Sequence, residues 1–387
     1  MTALREARLA RQWTQARLVH ELVRHAATAG LVLPAPTTMK TQLSRWENGR
    51  HVPEGTYRRL LRSVYGLEDE QLGFVQPPPV SRPSQLCAPP ELMAGFAATL
   101  AHYATMDHCA GHSPLLVSVR DQAQYLDALT HQTGGADRAA LLRLASRYAE
   151  FAGWLHQDAG EVAAAMHWTD RAMDAVQELG DVRAASYVLQ RKSNIATDAG
   201  RPGSGLGLAE AALRQRELLT PRLRAVGLRQ HATACALVGQ REDCLRSLGE
   251  AVAEVAIERD DADESDVAVY CTSQYIDMEI GNCWLLLGEP AKAVSVLERG
   301  LSSWPLGQER DRGLCLSRLA VAHARTGDLD AAAAIGLDAV AAVRRANSAR
   351  SLDQLRRLRI QLVVSRTVDG VKEFDQAFAA LDGGAAA

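Results

Sequence analysis

Along residues 1–75 the apolar positions recur at helical spacing in four short blocks. Leu4, Leu9 and Trp13 mark the first. Leu18, Leu22 and Val23 form the apolar face of the second, with Thr14 placed to cap it. Met39, Leu43 and Trp46 stand at i, i+4 and i+7 in the third, inside the stretch TTMKTQLSRWENGR, Thr37 to Arg50. Thr37 or Thr38 can cap that helix, and Gly49 suits a left-handed C-terminal cap. Tyr57, Leu60, Leu61 and Val64 give the fourth. GLVLPAP, from Gly30 to Pro36, breaks the chain between the second and third.

Beyond residue 140 the pattern changes from large apolar residues to small ones. Five glycines, Gly160, Gly200, Gly239, Gly288 and Gly327, are separated by 40, 39, 49 and 39 residues. Seven residues before each stands a small side chain: Gly153, Ser193, Ala232, Gly281 and Ala320. Five after each stands another (Ala165, Gly205, Cys244, Ala293, Ala332), and twelve after, a third (Ala172, Ala212, Ala251, Gly300, Ala339). Such a repeat predicts antiparallel helix pairs that turn at the glycine and approach closely at the small residues. The 49-residue step contains the acidic stretch Ile257–Asp266, read as an enlarged loop or a helix extension.

The two patterns are separated by FVQPPPVSRPSQLCAPP, whose six prolines favour an extended spacer. The expected organisation is a head over 1–75, a linker over 76–90 and a helical-repeat domain over 91–387. Helices over 91–135 precede the repeats and 350–382 caps them. The fold class is all-α.

Charge separates the same regions. Residues 1–75 carry 11 basic and 7 acidic side chains, while the remainder carries 32 and 39. A basic head on an acidic body suits a head that meets phosphate. In the third helix Lys40, Thr41, Ser44 and Arg45 lie opposite the apolar stripe. They offer two cations and two hydroxyls to base edges or phosphates in a major groove. The bland alternative is a solvated polar face. The 7 cysteines are odd in number and lack CxxC spacing, which fits free thiols in a reducing compartment. No apolar run approaches the length of a membrane span and no signal segment opens the chain, so a cytoplasmic location without membrane contact is expected.

LREARLARQWTQARL followed by LSRWENGRHVP resembles the Xre/lambda-repressor-type helix-turn-helix of transcriptional regulators. The resemblance implies a four- to five-helix DNA-binding head. In it Gln15 contacts a phosphate, Lys40 and Thr41 read bases, and Arg45 contacts a base or a phosphate. Asn48 and Arg50 touch the backbone from the following loop. Thr38 and Ser44 complete the candidate DNA-binding set. Arg8 falls where that family pairs a helix-1 arginine with a glutamate, here Glu47. The chain departs from the family in having 31 residues between Thr14 and Trp46, so the turn is not tight.

The small–x6–Gly–x4–small–x6–small spacing resembles the tetratricopeptide repeat, although its period near 39 exceeds that family's. The resemblance implies a concave groove lined from the first helix of each pair. Its candidate lining is Arg147, Glu150, Trp154, Tyr187, Gln190, Asn194, Arg229, Thr233, Tyr275, Met278 and Asn282. This mixture suits a peptide or small-molecule signal of the kind used in quorum sensing. Asn194 and Asn282 occupy the position from which peptide-binding members bond a ligand backbone. An ordinary solvated face is the plainer reading.

HYATMDHCAGH places His108 and His112 at i, i+4, a zinc-compatible spacing, but no second ligand cluster follows. No metal and no cofactor are expected. The chain lacks GxSxG, GxxxxGK[ST] and GxGxxG, and nothing in it argues for an enzyme. The combined expectation is a homodimeric regulator that binds double-stranded DNA and senses a ligand in its repeats. The competing reading is an interaction scaffold whose head docks a partner.

Overall fold

The computed structural model describes residues 2–49, 51–69, 71–74, 89–257, 267–363 and 369–384, and these are helical throughout, without strands. The chain divides into two compact units, Met1–Gln85 and Leu86–Ala387. Most of the proline-rich linker, the acidic stretch from Glu258 to Asp266, and Arg50 lie outside the described residues.

The first unit holds α1 (Ala3–Ala10), α2 (Gln15–Thr28), α3 (Pro36–Glu47) and α4 (Gly55–Tyr65). Its core is built from Leu4, Leu18, Leu22, Met39, Leu43 and Leu61, each almost completely buried, closed by Leu72 and Phe74. Thr14 caps α2 by accepting from the Arg17 amide at 3.1 Å. Three expectations need correction. Leu9 and Val23 are exposed: α1 turns Arg8 inward in place of Leu9, and the buried apolar face of α2 is Leu18, Val19, Leu22 and Ala26, with Val23 beyond its edge. Neither Thr37 nor Thr38 caps α3: the helix starts at Pro36, whose fixed φ suits the first turn and which needs no N–H there.

In the second unit α5 (Pro90–Ala110) and α6 (Leu116–Thr130) precede five helix pairs. The pairs are α7 (Gly135–Asp158) with α8 (Val162–Leu179), α9 (Val182–Asp198) with α10 (Pro202–Ala212), and α11 (Pro221–Leu237) with α12 (Arg241–Val255). Then come α13 (Ser273–Leu286) with α14 (Pro290–Ser302), and α15 (Glu309–Thr326) with α16 (Leu329–Ala346). Helices α17 (Ala349–Leu362) and α18 (Asp369–Gly384) follow. Each pair turns at one of the five glycines, whose φ values lie between 71° and 89°, a region other residues rarely adopt. The small residues before and after those turns are buried in all five pairs. A Cβ at Gly153 would lie 2.5 Å from Thr169 Oγ1 and 3.1 Å from the Ala165 carbonyl. Close helix approach thus sets the residue size. The long period comes from long first helices, of 17, 17 and 18 residues in α9, α11 and α15.

The solenoid closes on itself. Helix α5, ahead of the repeats, packs against α15 and α16 of the last pair. At this seam Gly111 lies directly against the Ala346 carbonyl, where any Cβ would overlap it. Cys109 Sγ donates to the Gly307 carbonyl at 3.6 Å, and Ser348 Oγ donates to Asp158 at 2.7 Å. An open concave groove has become a walled cavity.

Candidate functional site

In the first unit, Thr38, Lys40, Thr41, Arg45 and Asn48 are exposed on or just after α3, and Ser44 is half-buried. The face is fixed from behind by Leu43 and Trp46, which anchor α3 in the core. Neither Lys40 nor Arg45 makes an ion pair with any described residue. Thr41 Oγ1 donates to the Thr37 carbonyl at 3.1 Å, and Asn48 Nδ2 donates to the Ser44 carbonyl at 2.8 Å. Asn48 Nδ2 also reaches Ser44 Oγ at 3.4 Å, so Thr41 keeps an acceptor lone pair and Asn48 its side-chain carbonyl for a ligand.

Gln15 is half-buried and donates through Nε2 to Glu47 Oε2 at 2.8 Å. Arg8 meets the same carboxylate with a two-pronged contact, 2.6 Å from Nε and 3.0 Å from Nη2. Arg8 is 8 % exposed and Glu47 2 %, so the pair that the resemblance implied is present and buried. Arg8 also donates to the Trp13 carbonyl at 2.6 Å. Helices α1, α2 and α3 are therefore locked at one carboxylate. The second amide N–H of Gln15 is left for an outside acceptor.

The second unit holds a half-open cavity of about 210 Å3. Seven of the residues expected in the groove line it: Arg147, Glu150, Trp154, Tyr187, Asn194, Arg229 and Tyr275. Gln190, Thr233, Met278 and Asn282 do not. Met278 and Gln190 are fully buried, Met278 within the apolar core of α11–α18. Thr233 is also buried, and Asn282 is half-buried away from the cavity. Asn194 is already engaged. Its Nδ2 donates to Gln230 Oε1 at 3.0 Å, and its Oδ1 accepts from Gln157.

Trp154 of α7 is the centre of the wall. Its Nε1 donates to Asp107 Oδ2 of α5 at 2.8 Å. Three guanidinium groups, from Arg191 of α9, Arg310 of α15 and Arg350 of α17, lie 4.7, 4.5 and 4.8 Å from its ring centre. Such cation–π contacts strengthen where water is excluded. Arg191 pairs with Glu150 at 3.0 Å and donates to Gln157 Oε1 at 2.7 Å. Arg310 bonds Asp107 and Asp311. Burial alone would raise the Asp311 pKa, but Arg310 and Arg350 outweigh it and hold the carboxylate at about 2. Burial raises the Glu150 pKa, with Arg191 and Arg147 opposing it. Burial also raises the Tyr187, Tyr270 and Tyr275 hydroxyls, so they stay neutral donors.

Repeat register could not reveal Asp107, His108, Arg310 or Arg350, because none stands at a groove position of the repeats. Closure of the solenoid brings them in. His108 lies 3.5 Å from Arg310 and His112 3.5 Å from Asp158, so the two histidines face different partners. No group of three or more metal-binding side chains occurs among the described residues.

No family model and no curated protein matches the chain. Among solved structures it is similar to BtubC (BKLC) from P. vanneervenii, with 17% identity over 60% of this chain and 91% of that one and a TM-score of 0.41. It is also similar to a Rap protein complexed with Competence and Sporulation Factor, with 10% identity over 96% of this chain and 97% of that one and a TM-score of 0.50. The second likeness extends across nearly the whole of both chains and shows the fold, a tetratricopeptide-like helical solenoid. No helix among the described residues is long and apolar enough to cross a membrane.

Proposed function

We propose that the chain is a DNA-binding transcriptional regulator of the Xre helix-turn-helix kind. In this reading its repeat domain takes a peptide or small-molecule signal into the cavity and holds two copies together. The observation that carries the DNA half is the outer face of α3. Lys40 and Arg45 stand exposed without an ion pair among the described residues, on a helix pinned by Met39, Leu43 and Trp46. Exposed ion pairs add little stability, so leaving these cations unpaired costs the fold little and keeps them available to phosphate. The cavity supports the sensing half, and so does the likeness in fold to a Rap protein solved with Competence and Sporulation Factor. Paired heads would read two half-sites, as such domains do.

The test is fluorescence anisotropy with DNA from upstream of the chain's own coding region, across a range of salt concentrations. Wild type is expected to bind with a steep salt dependence. Lys40→Ala combined with Arg45→Ala should weaken binding and reduce the salt slope by about 2, one for each phosphate no longer neutralised. Weak, salt-insensitive binding by wild type would remove the regulator reading in favour of a scaffold. Unchanged binding by the double variant would reject this face as the recognition surface.

A further inference from the structure

The charges around the cavity are not equally satisfied. Arg310 uses all three guanidinium nitrogens on Asp107 and Asp311, and Arg191 meets Glu150 through Nε and Gln157 through Nη2. Arg350 is different. It lies 3.8 Å from Asp158 and 3.5 Å from Asp311, and it makes no hydrogen bond with any described residue. Its side chain is only 20 % exposed, so water cannot fully replace those bonds. Arg229 is 3 % exposed, and its Nε has no hydrogen-bond partner among the described residues. Its nearest carboxylate, Glu279, is 3.7 Å away. Arg147, exposed at the rim, has no ion pair with a described residue. A buried guanidinium with unspent donors is costly unless something accepts them.

From these observations we propose that the cavity selects a ligand with a carboxylate on an apolar body, the carboxylate held by Arg350 and Arg229 and steered by Arg147 at the rim. The proposal rests on the reading of this cavity as the signal site and names the chemistry of the signal. A planar guanidinium matches a carboxylate with two parallel bonds, which a lone point charge cannot do. Phe151, Tyr187, Tyr270 and Tyr275 supply the apolar wall for the body. Glu150, the carboxylate on this wall, is already occupied by Arg191 at 3.0 Å. Asp107 Oδ1 is buried and unpartnered as well, and it can accept a donor carried next to the carboxylate.

Size narrows the class further. A cavity of roughly 150 Å3 holds benzene. In the same proportion, at about 210 Å3 this one takes about eight heavy atoms, and any further atoms of the ligand reach into the mouth. That is a small aryl or alkyl acid, or the last residue of a peptide with its free C-terminus. Both sources present the same carboxylate.

The test uses the full chain in a thermal-shift and calorimetric panel. Aryl and alkyl carboxylates of about eight heavy atoms are each paired with the neutral primary amide. N-acetyl dipeptides ending in leucine or phenylalanine are tried as free acids and as C-terminal amides. The acids are expected to bind and the amides to bind roughly ten- to a hundredfold more weakly, the ratio for losing a charge-assisted pair. Arg350→Gln should abolish that preference, and Arg350→Lys should restore part of it. Arg147→Gln lies at an exposed position that cannot disturb folding, and it should weaken the acids several-fold by itself. Tighter binding of the dipeptide acids assigns the carboxylate to a peptide end, and tighter binding of the simple acids to a small molecule. Equal binding of acids and amides, or an acid preference that survives both Arg350→Gln and Arg147→Gln, overturns the proposal and leaves the cavity a binding site for neutral ligands. Binding by no member of the panel also overturns the carboxylate class. The cavity's role as a signal site would then be decided separately, by whether protein from its own host carries a retained molecule.

Discussion

The two units place their arginines and lysines in opposite ways. In the first unit Lys40 and Arg45 stand outside without an ion pair among the described residues, while Arg8 goes inside to tie three helices to Glu47. In the second unit the arginines converge inward. Arg191, Arg310 and Arg350 gather on one indole ring where the two ends of the solenoid meet. Outward free charge attracts a polyanion over a distance set by salt. Inward charge in a largely buried cavity instead favours a small partner by hydrogen-bond geometry. The contrast teaches that net charge alone is a poor guide to function here. The acidic body holds the more concentrated group of arginines, hidden from any count taken over the whole sequence.

The largest expected effect lies in the first unit. Glu47→Ala leaves Arg8 buried without its carboxylate and removes the acceptor for Gln15, so the unit should lose about 3–5 kcal/mol. Chemical denaturation followed by Trp13 and Trp46 fluorescence measures it, and a loss under about 1 kcal/mol would mean the lock is not structural. The next effect belongs to the second unit. Asp311 has its pKa depressed from 3.8 to about 2, because Arg310 and Arg350 outweigh its burial. Its contribution to stability is therefore complete above the unfolded value and is lost as pH falls through about 2. Thermal melts between pH 5 and pH 2 should show roughly 2 kcal/mol of this loss, and Asp311→Asn should flatten that part of the profile. The smallest effect is again in the first unit. Lys40→Ala with Arg45→Ala should change stability by less than about 0.5 kcal/mol, because neither side chain supports the core. A large loss there would show that the outer face is structural and break the contrast.

The repeats were legible because their geometry is local. A glycine at positive φ and a small side chain at each close helix approach leave a mark at fixed spacing, and all fifteen small positions are buried. The apolar stripe of α3 was legible for the same reason. Leu9 and Val23 misled because a short amphipathic helix offers neighbouring apolar or amphipathic residues for the same inward position. Here Arg8 went inside to meet Glu47, 39 residues away. Cavity residues contributed by the repeats could be anticipated, as with Trp154 and Tyr187. Those contributed by closure could not. Asp107 and Arg310 are 203 residues apart, and no periodicity links a helix before the repeats to one at their end. The same closure turned an expected concave groove into a cavity whose wall includes residues from both ends of the solenoid.

The central claim is that the second unit's inward arginines hold a signal molecule. Native mass spectrometry of the chain, purified from its own host at neutral pH and low salt, tests it most directly. The account predicts one small acidic molecule per chain, lost on denaturation and absent from the Arg350→Gln variant prepared in parallel. A spectrum at the bare sequence mass from a preparation that still binds DNA and still responds to host extract would contradict it. So would a retained molecule that Arg350→Gln holds equally well.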